Sequence, residues 1–153
     1  MDDFPAIVSA STFDELAAAA AAARHRLQEG LAAGADIVQT TRQLSRVNDR
    51  VTEHLVRRTA AELGLELDHA CWLALGSQGR SEQTLVTDQD NGLVLDAAVP
   101  ASARGDWLEL GRRVNLGLDA CGYALCRGKV MAGEPACCLV IDDWGRRFDH
   151  WME

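Results

Sequence analysis

The chain has 153 residues, 48% hydrophobic and 25% charged, the balance of one ordinary globular domain that buries about 70% of its unfolded surface. Its 23 acidic residues outweigh 15 basic ones for a net charge of −8, which argues against the basic face of a general nucleic-acid binder but admits a small anionic ligand carried on a metal ion. No apolar run approaches the ~20 residues of a membrane span, and MDDFPAIVSAS lacks the basic start of a signal peptide, so a cytoplasmic location and no membrane contact are expected.

Thr12 opens a capping box with Glu15, and an alanine-rich helix follows to about Gly30. The run Ala17–Ala23 favours helix but offers little bulk to a core. A second long helix is expected from about Asp36 to Leu63, with Leu44, Val47, Val51 and Leu55 as its apolar stripe and Gly64 as its C-cap. Arg57 and Arg58 near its end suit the helix dipole. Two apolar segments, Cys71–Leu75 and Gly92–Leu95, read as buried strands. A third helix, about Ala101 to Ala120, places Trp107, Leu110, Val114 and Leu118 on one face and ends at Gly122. Tyr123–Cys126 reads as a short strand pairing into the sheet. The loop RGKVMAGEP carries Arg127 and Lys129, either an exposed basic loop or a contact for a phosphate or a protein partner. In the last helix Trp144, Phe148 and Trp151 fall at i, i+4 and i+7, a packing face rather than a ligand box, with room for a C-terminal domain or a second copy of the chain against it.

The five cysteines contain no C-x-x-C pair, and buried, reduced thiols are the expectation; a zinc site from Cys137, Cys138 and His150 is the alternative. His25, His54 and His69 read as helix-surface or loop residues.

The chemistry concentrates in GSQGRSEQTLVTDQDN, Gly76 to Asn91, between the two strands. Asp88 and Asp90 lie at i and i+2, so on an extended backbone both carboxylates point the same way, roughly 6–7 Å apart at the backbone. Like charges held together call for a cation, and Mg²⁺ or Mn²⁺ takes one or two carboxylates plus substrate phosphates. Gly76 ends a strand where backbone must approach a ligand, the Ser77 hydroxyl and neighbouring N–H groups suit phosphate oxygens, Gly79 keeps the connection tight, and the Arg80 fork matches phosphate geometry. Taken singly, each piece reads better as a solvated turn; together they suit a nucleoside triphosphate with its metal.

These residues carry a resemblance. GSxGRxEQ followed by TDQDN resembles the bacterial nucleotidyltransferase-like proteins found next to CBS and cyclic-nucleotide-binding domains, themselves similar to the N-terminal part of PII-protein uridylyltransferases in the DNA polymerase β-like superfamily. VNDRVTEHLVRRTAAELG resembles the family's lead-in helix, and GYALCRGKVMAGEP its G-Y-x-x-C-x-G-x-V-M-A-x-x-P segment, so the likeness runs from about Ala35 to Trp151. The resemblance implies an α+β nucleotidyltransferase fold, a short mixed sheet packed on helices, with residues 1–66 as a helical extension and 67–153 as the core. It implies Asp88 and Asp90 as catalytic metal ligands for Mg²⁺ or Mn²⁺, and nucleotide binding by Gly76, Ser77, Gly79 and Arg80. Glu82 is expected to cap the short helix or hold Arg80, and Gln83 and Asn91 to brace the DQD turn. The implied reaction moves a nucleoside monophosphate from a triphosphate, UTP by resemblance, to an acceptor such as a PII-like regulatory protein. The superfamily's third carboxylate finds no counterpart: Asp96 lies roughly 20 Å along an extended strand from Asp90, and Asp142 and Asp143 fall in a helical stretch. The core is therefore expected to be C-terminally incomplete, and a non-catalytic nucleotide-binding regulatory module stands as the alternative.

Overall fold

Helix ends in this chain are set by side chains that can be named. In the computed structural model, which describes residues 4–152, helix α1 (Pro5–Val8) leads into α2 (Phe13–Ala32) and α3 (Ile37–Leu63). Thr12 and Glu15 close the capping box on α2, whose first turn also carries Asp14. Asp36 caps α3 by accepting from the Gln39 N–H at 2.8 Å, and Gly64 ends it in the left-handed conformation, φ 67°. Arg57 and Arg58 stand short of the last turn and pair instead with Glu53 and Glu62 one turn away.

Strand β1 (Ala70–Ala74) follows, then the single turn α4 (Gly76–Gly79), strand β2 (Asn91–Leu95), helix α5 (Arg104–Ala120), strand β3 (Cys138–Val140) and helix α6 (Ile141–Met152). The architecture is α+β, as expected. The sheet order is β1-β2-β3, with β1 antiparallel to β2 and β3 parallel to it. Leu93 and Leu95 face a core shared with Val47, Val51 and Leu55 of α3 and Trp107, Leu110, Val114 and Leu118 of α5. Each such fully buried side chain contributes about 1.5–3 kcal/mol.

Three expectations need correction. β1 is an edge strand with Cys71 and Ala74 exposed, so it is not fully buried, and Cys71 is no core thiol. Tyr123–Cys126 does not form a strand; it makes one parallel bridge, Ala124 with Asp88, before the chain turns. The third strand comes later, from Cys138–Val140. Trp144 is buried, its indole N–H donating to the Leu93 carbonyl at 3.0 Å and its ring lying where a Cβ on Gly92 would stand 2.6 Å away. Phe148 and Trp151 continue that aromatic row outward, 40% and 46% exposed.

Between β2 and α5 lies a buried amide network. Asn115 Nδ2 donates to Gln89 Oε1 at 2.8 Å and to Asn91 Oδ1 at 2.9 Å. Gln89 Nε2 donates to the carbonyls of Asn115 and Tyr123, and the N–H groups of Ala132 and Gly133 donate to Asn91 Oδ1 and Asn115 Oδ1. Helix α5 comes this close because position 111 is glycine: a Cβ there would sit 2.3 Å from the Ala132 carbonyl oxygen.

Asn115→Ala leaves several buried partners unsatisfied and is expected to lower unfolding free energy by at least about 2–3 kcal/mol, seen as a fall in the urea midpoint. Leu116→Ala, at a neighbouring position 62% exposed, is expected to stay within about 0.5 kcal/mol of the parent. Equal midpoints for the two variants would mean the network carries no stability.

Candidate active site

The buried network decides where the two aspartates point. Gln89 and Asn91 are fully buried against α5, so their alternating neighbours Asp88 and Asp90 face the other way. The backbone is fixed at each step: Gln89 N–H donates to Ala124 O and Asn91 N–H to Val130 O, both at 3.0 Å, and Asp90 O accepts from Leu75 N–H at 2.9 Å. That last bond joins the end of β1 to the DQD segment. Gly76, at φ 54°, comes next, and a Cβ on it would meet Asp90 Oδ2 at 2.4 Å. Only glycine satisfies both the left-handed backbone and the close approach.

The Gly-Ser segment is held from the other side by α3. Gln78 Nε2 donates to Asp49 Oδ1 at 3.0 Å, Gln83 Oε1 accepts from Asn48 Nδ2 at 3.0 Å, and Gln83 N–H donates to Ser45 Oγ. Gln83 therefore braces this segment against the helix, whereas Asn91 braces the DQD turn. Gly79 is needed because a Cβ would lie 2.6 Å from the Ala74 carbonyl oxygen. Glu82 holds Arg80, Oε2 to Nε at 2.9 Å, and leaves the guanidinium exposed beside the turn. Ser77 is half-buried.

Cys126, expected from sequence to be a buried, reduced thiol, is half-buried and joins the aspartates. Asp88, Asp90 and Cys126 each offer a ligand atom, and these lie within 4.8 Å of one another; among the described residues they are the group of His, Cys, Asp and Glu side chains able to hold a metal ion. Opposite oxygens in an octahedral Mg²⁺ shell stand about 4 Å apart, so the two carboxylates fit one hard cation with a small adjustment. Burial pushes the Cys126 thiol above its ordinary pKa, and its hydrogen bond to Asp90 adds to the shift. The sequence signal available was the cysteine of the G-Y-x-x-C segment, but nothing local ties position 126 to positions 88 and 90.

Other candidates stay apart. Asp96 accepts from the Ala98 N–H in a turn at the far end of β2, and Asp143 pairs with Arg146 on α6. Cys137, Cys138 and His150 form no metal-sized group. Arg127 and Lys129 are exposed on a turn closed by the Lys129 N–H to Cys126 carbonyl bond, next to the acidic group. A cavity of about 500 Å³ lies between α3 and β1, lined by Asp49, Thr52, Val56 and Trp72, and includes neither Asp88 nor Asp90.

No curated protein and no solved structure matches the chain. A protein-family model does: the one described as "Putative nucleotidyltransferase DUF294" matches residues 21–153. That span runs from within α2 through α6 and takes in both anchoring helices, the Gly-Ser turn and the DQD segment. Among the described residues, no helix is long and apolar enough to cross a membrane. The general class of chemistry to which the match points is nucleotidyl transfer, with a nucleoside triphosphate as substrate. With 133 of the 153 positions matched, the chain belongs to the DUF294 nucleotidyltransferase family.

Proposed function

We propose that the protein transfers a nucleoside monophosphate from a Mg²⁺- or Mn²⁺-bound triphosphate to an acceptor, with UTP as donor and a PII-like regulatory protein as acceptor by its resemblance to uridylyltransferases. The observation that supports this best is the contact between Gly76 and Asp90, which sets a phosphate-type turn directly against a metal-type carboxylate. Asp88 and Asp90 would hold the divalent ion. Bound there, the ion neutralises phosphate charge and orients the reacting oxygens. Gly76, Ser77 and Gly79 would let the backbone and one hydroxyl approach the triphosphate, and Arg80, released from or shared with Glu82, would pair with its outer oxygens. Because the Asp90 main chain is held by the Leu75 N–H, the carboxylate would need only a small adjustment when substrate arrives.

A non-catalytic nucleotide-binding module is the second reading. It is favoured by one feature: the third donor beside the two aspartates is a thiol, where the superfamily usually has a carboxylate.

Ser77→Ala and Arg80→Ala are each expected to leave the fold intact and weaken Mg²⁺-triphosphate binding about 10- to 150-fold, the loss of one charge-assisted hydrogen bond. Calorimetric titration with the four nucleoside triphosphates measures this, and unchanged affinity in both variants would sink the pocket.

With α-labelled UTP, Mg²⁺ and candidate acceptor proteins, label transfer is expected and should disappear in Asp88→Asn and Asp90→Asn. Triphosphate binding that persists without transfer to any acceptor would favour the second reading. Transfer that survives both substitutions would remove the aspartates from the mechanism.

A further inference from the structure

The segment Ala124–Val130 runs alongside Asp88–Asn91, tied to it by the Gln89 and Asn91 main-chain bonds at 3.0 Å on either side of Asp90. Between those ties the chain makes a tight turn. Lys129 N–H returns to the Cys126 carbonyl, Lys129 takes a φ of 56°, and Cys126 N–H donates to Met131 Sδ at 3.4 Å. The Cys126 side chain is delivered to Asp90, and the Asp88, Asp90 and Cys126 ligand atoms lie within 4.8 Å of one another. Two oxygens and one sulfur are a different donor set from three oxygens. Carboxylate sets suit Mg²⁺, whereas a thiolate shifts preference toward Co²⁺, Zn²⁺ and other thiophilic ions.

We propose that Cys126 is a third ligand at the Asp88–Asp90 site and sets its metal preference, so that the site binds Zn²⁺ or Co²⁺ through a metal–sulfur bond more tightly than it binds Mg²⁺. This rests on the reading of Asp88 and Asp90 as metal carboxylates. As the metal–sulfur bond forms, the thiol proton leaves to solvent and Cys126 comes to share the cation with Asp88 and Asp90. Hard Mg²⁺ arriving on a triphosphate leaves Cys126 as a thiol and uses the two carboxylates alone.

The test is a titration with Co²⁺, followed by its near-ultraviolet thiolate-to-cobalt charge-transfer band. The background is Cys71→Ala, which removes the exposed thiol. The band is expected at one Co²⁺ per chain and should vanish in Cys126→Ser. Zn²⁺ affinity by competition should fall about tenfold or more in that variant, a larger loss than that of Mg²⁺-triphosphate affinity. Cys126→Asp should also lose the band while gaining affinity for Mg²⁺ and Mn²⁺, so a positive result remains available if the serine variant folds poorly. A band that persists in Cys126→Ser, or one Co²⁺ bound with no band, overturns the proposal. If Asp90→Asn still abolishes metal-triphosphate binding in that case, only the role of Cys126 falls. If Asp90→Asn changes neither the metal nor the triphosphate titration, the reading of the carboxylates falls with it.

Discussion

Everything at the acidic end of this molecule depends on three buried amide side chains. Gln89, Asn91 and Asn115 exchange hydrogen bonds with one another and with the backbone at Tyr123, Ala132 and Gly133. A buried amide without partners is costly, so a set whose bonds all close in one arrangement excludes neighbouring arrangements. What it excludes here is a one-residue slip of β2. Such a slip would turn Asp88 and Asp90 into the core and Gln89 and Asn91 out of it. The orientation of the two carboxylates is thus a by-product of where their neighbours must be.

The other half of the site hangs from α3. Asn48, Asp49 and Ser45 reach across to Gln78 and Gln83 and fix the Gly-Ser turn. The two halves meet at three points: the β1–β2 pairing, the Leu75–Asp90 hydrogen bond, and the contact of Gly76 with the Asp90 carboxylate. Helix α2 adds a third support from further away. Arg24 donates to the Cys121 carbonyl at 2.6 Å and lies over the Tyr123 ring, beside Gly122 at φ 95°. It thereby steadies the turn from which the Cys126 segment departs.

Local signals served the sequence reading well wherever the structure is local. The Thr12–Glu15 box, the start of α3 near Asp36, the Gly64 stop and the Trp107–Leu118 stripe each depend on residues within a turn or two, and each stands as expected. Tyr123–Cys126 suits a strand by its apolar character, yet it bridges to the Asp88 segment only at Ala124 before a turn diverts it. Cys138–Val140 is too short to show any periodicity in the sequence; its pairing to β2 defines it. The D-x-D spacing and the Gly-Ser turn were legible because chemistry wrote them within sixteen residues. The place of Cys126 was not, since it takes the whole of α5 to bring position 126 back to position 88. Asn115 did leave a trace: a polar residue inside the apolar run of a helix is a sign of a buried partner.

The two anchors differ in depth, and that has a dynamic consequence. The Gln89 and Asn91 side chains are fully buried and bonded within a network that closes on Asn115 of α5, so releasing them requires opening the molecule broadly. The Gly79–Glu82 stretch is exposed and tethered by side chains on either side of it, so it can loosen while the core stays shut. The acidic side then behaves as an anvil and the glycine side as an adjustable jaw. Amide exchange at Gln89 and Asn91 should follow global unfolding, and exchange at Arg80 and Ser81 should be orders of magnitude faster. A ligand that grips both sides would slow only the second pair.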